Sequence, residues 1–406
     1  MIHTHTQQNG LRVVLEPVST VRSVTIGIWI LTGSRNETPN TNGISHFLEH
    51  MLFKGTSNHT AKEIAESFDA IGGQLNAFTS KEYTCLYAKV LDDYAEYALE
   101  LLTEMFFESV FPEEELEREK KVVKEEIKMY DDMPDGLVHD LLQEAAFGNH
   151  ALGRPIIGTE EQINAFTKQD LQDHMNTFYT PENVVVSVAG NVEESFVQKI
   201  ETYFDRFTHS SHPFQYTKPV FQRETLAQEK KTEQAHLCLG YEGLAIHDAK
   251  IPSLLVVNSV LGRGMSSRLF QEIRERKGLA YATFSYHASY LETGMLVIYA
   301  GTTKNQLEDV KETIQQTTAD LIQHGLTDKE FTNSKTQLKG NVMLGLESTN
   351  AKMSRNARNE LLLRKHKTMD DMIKEIDQIS YADVQAIIEK TFSDKPAEAT
   401  ITSASS

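Results

Sequence analysis

Apolar positions recur along the chain in two rhythms, a short one suited to strands and a longer one suited to helices. Consecutive or alternating apolar residues predict strands at 11–15, 24–31, 84–90, 184–189, 235–241, 294–300 and 399–402. Between them, apolar residues three and four apart predict helices around 44–53, 61–71, 92–107, 113–130, 135–146, 168–178, 251–260, 266–276, 304–323, 327–346, 351–365, 368–376 and 380–391. Strands and helices interleave throughout, which predicts an α+β chain.

The order of elements repeats. DLQDHMNTFYTPENVVVSVAG, beginning at Asp170, has the pattern of DVQAIIEKTFSDKPAEATITSAS, beginning at Asp383: amphipathic helix, aromatic, proline turn, strand. LYAKVLDDYAEYALELLTEMF and the FPEEELEREKKVVKEEI after it parallel MLVIYAGTTKNQLEDVKETIQQTTADL and the LTDKEFTNSKTQLKGNV after it. Two similar halves are therefore expected, each long enough for a core of its own at about 200 residues. A stretch with two prolines and little periodicity predicts a linker at about 209–222, which divides the chain into domains 1–212 and 222–406.

Composition narrows the function. The formal charge of −18 argues against nucleic-acid binding, which needs a basic surface to neutralise phosphates, and suits basic peptides instead. No apolar run is long enough to cross a bilayer, and the first residues, MIHTHTQQNGLRVVLEP, lack the pattern of an export signal. Cys85 and Cys238 are the two cysteines, both in apolar surroundings and far from any C-x-x-C spacing, so neither a disulfide framework nor a thiolate metal site is expected. A cytoplasmic chain with no membrane partner is the expectation.

The candidate chemistry centres on His46-Phe47-Leu48-Glu49-His50. Residues four apart project from one face of a helix, so both imidazoles can reach a single zinc ion with Glu49 beside them to activate a water. The same three side chains could also form a buried hydrogen-bonded network without a metal. A catalytic zinc usually takes three protein ligands, which asks for another elsewhere. After Pro112, Leu116, Val123, Ile127 and Tyr130 mark an apolar stripe, and Glu119 and Glu126 fall on or beside it. Metal coordination would give Glu126 a partner, and a contact to a ligand histidine would give Glu119 one. Spacing does not choose between Glu125 and Glu126.

These words together resemble the pitrilysin-like inverted zinc peptidases, the insulinase family that includes insulin-degrading enzyme and the mitochondrial processing peptidases. The resemblance runs along essentially the whole chain: HFLEHMLFKGT at 46–56, GGQLNAFTSKEYT at 72–84, REKKVVKEEI at 118–127, LGRPIIGT at 152–159 and SSRLFQEIRERKGLAY at 266–281. It implies two similar domains, each a mainly antiparallel sheet packed with helices, and one Zn2+ per chain. It places the third ligand about 76 residues after the second histidine, at Glu126, and an acidic residue seven positions earlier, at Glu119. It also implies a substrate-binding edge strand at Gln74, Leu75, Asn76, Ala77 and Phe78, with a peptide added to it as a further strand. The second half has no H-x-x-E-H, and Asn341 stands about where the repeat would place the glutamate, so this half is expected to be catalytically silent. Its Arg274 and Tyr281 match a pair that contacts substrate near the scissile bond. The implied activity is zinc endopeptidase, and the size resembles small members that pair with a second subunit, so a homodimer is expected. The rival expectation is a non-catalytic subunit of the same architecture that presents peptides to an active partner.

Overall fold

The computed structural model describes residues 2–208 and 216–404. Of the expected linker, residues 209–215 lie outside the described residues, and 216–222 form neither helix nor strand. The chain divides into two compact units. One contains Met1–Lys128, Pro155–Tyr216 and Gly345–His366; the other contains Met129–Arg154, Thr217–Leu344 and Lys367–Ser406.

The first unit is built on a sheet of β1 (His3–Thr6), β2 (Arg12–Pro17), β3 (Ser23–Ile30), β4 (Gln74–Thr79), β5 (Thr84–Leu91) and β6 (Val184–Gly190), in the order β1-β2-β6-β3-β5-β4. All pairings are antiparallel except β2 with β6. The second unit holds β7 (Thr225–Lys230), β8 (Ala235–Glu242), β9 (Ala280–Ser289), β10 (Gly294–Thr302) and β11 (Ala397–Ser403), in the order β7-β11-β8-β10-β9. Here too one pairing, β11 with β7, is parallel and the rest antiparallel. The order β2-β6-β3-β5-β4 thus recurs as β7-β11-β8-β10-β9. This is the duplication that the repeated segments predict, expressed as topology.

The central strands β3, β6, β8 and β10 are buried along almost their whole length, so both faces of each sheet are covered. In the first unit, one face packs on α1 (Ile44–Met51), α2 (Ala61–Ala70), α3 (Ala95–Glu108) and α4 (Glu113–Asp131) through Phe47, Leu48, Ile64, Leu102, Leu116 and Val123. The other face, with Val14, Trp29, Cys85, Val185 and Ala189, is covered by Met353 and Ala357 of helix Thr349–Arg358 and by Leu361. In the second unit, helix Pro134–Phe147 plays the corresponding part, packing Val138, Leu142, Ala146 and Phe147 on Cys238, Met295, Val297 and Ala399. The two covering helices hold equivalent places in the repeat, each following a long helix, and each completes a unit otherwise made from the other half of the sequence.

Every predicted helix is present, with boundaries shifted by a few residues, and so is each of the seven predicted strands. The chain also contains β1, β7 and β9, and helices Glu160–Ala165 and Phe196–Phe204, which the apolar rhythm does not announce. The end strands β1 and β7 are polar and largely exposed, so they lack the alternation that marks a half-buried strand. Both cysteines are buried and free. Among the described residues no helix is long and apolar enough to cross a membrane.

Candidate metal centre

Helix α1 has one face in the core, with Ile44, Phe47, Leu48 and Met51 buried. That anchoring leaves His46, Glu49 and His50 on the remaining face, where the four-residue spacing brings the imidazoles edge to face with centroids 4.7 Å apart. The helix starts from Gly43 in the left-handed region (φ 94°), where a Cβ would sit 2.7 Å from the Ile157 carbonyl oxygen. Gly43 has no side chain to cap the first turn. The buried Glu37 carboxylate does so instead, accepting from the Gly43 and Ser45 backbone N–H groups at 2.8 and 2.9 Å and from Asn42 Nδ2 at 2.9 Å.

Helix α4 brings the acidic partners. Its apolar stripe of Leu116, Val123 and Ile127 is buried, and Glu119 and Glu126 turn with it toward α1. Glu126 lies 3.8 Å from His46 Nε2 and 3.5 Å from His50 Nε2. Glu125 instead points outward, 73% exposed, and pairs with Lys128. Among the described residues, one group of three histidine, cysteine or acidic side chains has ligand atoms all within 4.8 Å of one another, and it is His46, His50 and Glu126. The donor set fits zinc: two imidazole nitrogens and a carboxylate converge, which leaves room in a tetrahedral shell for a water.

Behind these residues, Glu119 takes His50 Nδ1 at 2.8 Å on one oxygen and Lys54 Nζ at 2.6 Å on the other. Thr79, at the end of β4, donates to Glu49 Oε2 at 2.6 Å. His46 Nδ1 is buried and has no hydrogen-bond partner among the described residues.

Burial, with a smaller push from His50, lowers the His46 pKa to about 3, which keeps that imidazole neutral and able to donate a lone pair. For His50 burial works the same way, but the Glu119 hydrogen bond and the Glu126, Glu119 and Glu49 carboxylates outweigh it and raise its pKa. Glu49 is raised by burial, against the Thr79 hydrogen bond. Burial opposes ionisation of Glu119 too, but the bonds from His50 and Lys54 prevail and lower its pKa.

Among the described residues, strand β4 pairs with β5 alone, and no strand lies on its other edge. Gln74 and Asn76 are exposed, and Leu75 and Ala77 pack toward the core beneath. Phe78 faces the opposite side, 5.3 Å from the Trp29 ring. Ala77 N–H is held by Asn76 Oδ1 at 2.8 Å. In the second unit, Arg274 lies in a short wide-turned helix, Phe270–Arg276, with its guanidinium 4.8 Å from the ring centroids of both Phe270 and Tyr281. Tyr281 is 76% exposed, near the start of β9. Asn341, on helix Asp328–Gly345, has a buried Nδ2 that finds no partner among the described residues.

Sequence reasoning passed over Glu37 and Lys54, and it placed Thr79 at the end of the edge strand without its contact to Glu49. Lys54 left a trace as the cation four residues after His50, on the side that faces an acidic helix.

Comparison with known proteins agrees with this architecture. Residues 12–160 match the family described as Insulinase (Peptidase family M16), and residues 165–338 match Peptidase M16 inactive domain. A Bacillus subtilis protein named uncharacterized zinc protease YmxG is 57% identical over 401 residues, covering 99% of this chain and 98% of its own. An uncharacterized zinc protease of Streptomyces coelicolor is 40% identical, over 96% of this chain and 87% of its own. Among solved structures, a Helicobacter pylori protease superposes with a TM-score of 0.92 at 25% identity, over 99% of this chain and 98% of that one. The fold is shared as well by a Pseudomonas fluorescens protein described as a peptidase M16 inactive domain, with a TM-score of 0.93 at 20% identity, over 100% of this chain and 98% of that one. With both halves matched and a relative this similar along nearly its full length, the chain belongs to the insulinase family, peptidase family M16.

Proposed function

We propose that this chain is a zinc endopeptidase acting on extended or unfolded peptides. The observation that carries the reading is the convergence of His46, His50 and Glu126 beside Glu49, which is held by Thr79 at the end of a free sheet edge. His46, His50 and Glu126 would hold one zinc ion per chain. Zinc bound there supplies Lewis acidity, polarising the scissile carbonyl and making the attacking water acidic near neutral pH. Glu49 accepts the proton from that water and later delivers it to the leaving amine. Its raised pKa, caused by burial, suits a group that must both take and return a proton.

Residues 74–78 bind the substrate backbone as an added strand, with Asn76 and Ala77 nearest the cut, which restricts substrates to segments able to extend. Arg274 and Tyr281 offer guanidinium and phenol donors for peptide carbonyls or a developing oxyanion. By resemblance to the small two-domain members, they act in a homodimer, a proposal that sedimentation of the purified protein tests. The charge of −18 favours substrates with basic residues near the cut, and the two free, buried cysteines accord with a reducing, cytoplasmic location.

Cleavage of a mixed peptide library tests the reading. Cleavage should be abolished by chelator, restored by zinc, and missing in Glu49→Gln although that variant keeps its metal. Zinc retained with no cleavage by the native protein would overturn it in favour of a peptide-presenting subunit. Cleavage indifferent to substrate charge would remove the basic preference alone.

A further inference from the structure

We infer that Lys54 is a positioning residue of the metal centre, acting through Glu119 on His50; this rests on the zinc reading above. Lys54 stands on the turn that ends α1, where its N–H donates to the Met51 carbonyl at 3.1 Å. It and His50 are four residues apart and grip the same carboxylate from one side. Glu119 Oε1 takes His50 Nδ1 at 2.8 Å, and Oε2 takes Lys54 Nζ at 2.6 Å.

The Glu119 side chain is only 4% exposed, so water cannot readily replace a lost partner. A carboxylate bonded at one oxygen can turn about its last torsion, which is broad, and the imidazole it holds can turn with it. Bonded at both oxygens, its plane is fixed. The fixed acceptor then holds the proton of His50 on Nδ1, and Nε2 is left to face Glu126 at 3.5 Å, the side where the three ligand atoms converge. Lys54 also brings a positive charge to a cluster that contains Glu49, Glu119 and Glu126, so the orientation is set without stacking uncompensated carboxylates behind the site.

The test is zinc affinity of the metal-stripped full-length protein, measured by competition with a chromogenic chelator for wild type, Lys54→Met, Lys54→Arg, Glu119→Gln and the Lys54→Met/Glu119→Gln double variant. Removing a supporting partner of a ligand histidine typically weakens metal binding by about 10- to 100-fold. Lys54→Met should fall near the lower figure, and Lys54→Arg should recover most of the loss. In the Glu119→Gln background, Lys54→Met should cost little more, because the route through the carboxylate is already broken. An unchanged affinity in Lys54→Met, or a loss of the same size in both backgrounds, would overturn the inference while leaving the zinc site standing. Failure of the wild type to bind zinc would overturn the metal reading and this inference with it.

Discussion

Replacing Met353 with alanine should destabilise the unit that carries the candidate metal centre, although the residue lies far along the second half of the chain. Met353 is fully buried, and its Sδ accepts from Trp29 Nε1 at 3.1 Å. The fit is close enough that a Cβ on Gly27 of β3 would lie 2.5 Å from that sulfur. Truncating a buried methionine to alanine costs about 2–5 kcal/mol through lost burial and the cavity left behind. The Trp29 N–H, left without an acceptor, adds about 1–2 kcal/mol. Together these give about 3–7 kcal/mol, a large share of the roughly 5–15 kcal/mol that holds a typical protein folded. Met353→Leu keeps the volume and removes only the acceptor, so it should cost about 1–2 kcal/mol. Trp29 is the single tryptophan, so its emission during a urea titration reads this contact directly. The midpoint should fall in the order native, Met353→Leu, Met353→Ala with the slope unchanged. A loss below about 1 kcal/mol for the alanine variant, or equal losses for both, would refute the packing argument.

Thr79→Val removes the hydroxyl that orients Glu49 with almost no change of shape. A hydrogen bond to a charged group is worth about 1.5–3 kcal/mol, so kcat should fall roughly 10- to 100-fold with zinc content unchanged, and Thr79→Ser should stay near native; kcat within twofold of native in the valine variant would refute the role. His174 is buried and its pKa is lowered to about 4 by that burial. The unfolded chain therefore binds the extra proton first, and this contribution to stability is complete above the unfolded value of about 6.5 and is lost as pH falls toward 4. Between pH 7 and 4.5 the metal-stripped protein should lose about 2–3 kcal/mol more than a His174→Gln variant, and parallel losses in urea titrations would reject the assignment. A chain ending at residue 208 leaves Val14, Trp29, Cys85, Val185 and Ala189 without their covering helix. It should show water-exposed Trp29 emission and no cooperative urea transition, and a buried emission maximum with a sharp transition would contradict the pairing of that helix with the first sheet.

The H-x-x-E-H spacing by itself put two imidazoles and a carboxylate on one helix face, because the helical repeat is local and needs only the neighbouring turns. Helices and central strands were legible for the same reason, since an apolar stripe or run records which way a segment faces its core. The doubled segments likewise foretold two similar halves, and the structure gives these halves sheets that share one strand order. Other features depend on partners that the local repeat does not specify. Glu125 and Glu126 are equivalent as letters in a charge run, and only the packing of α4 against α1 turns one to the imidazoles and the other to Lys128. The strands β1 and β7 take their form from pairing with a neighbour and carry little apolar signal of their own. The Glu37 cap, the Glu119 bridge to His50 and Lys54, and the Thr79 contact each bring to helix α1 a residue that its own repeat does not specify. The exchange of covering helices was hidden most completely. Helices Pro134–Phe147 and Thr349–Arg358 show in sequence that each has an apolar face, but not which sheet that face covers. Burial is non-directional and roughly proportional to area, so the choice between two similar sheets was left to the shape of the folded chain.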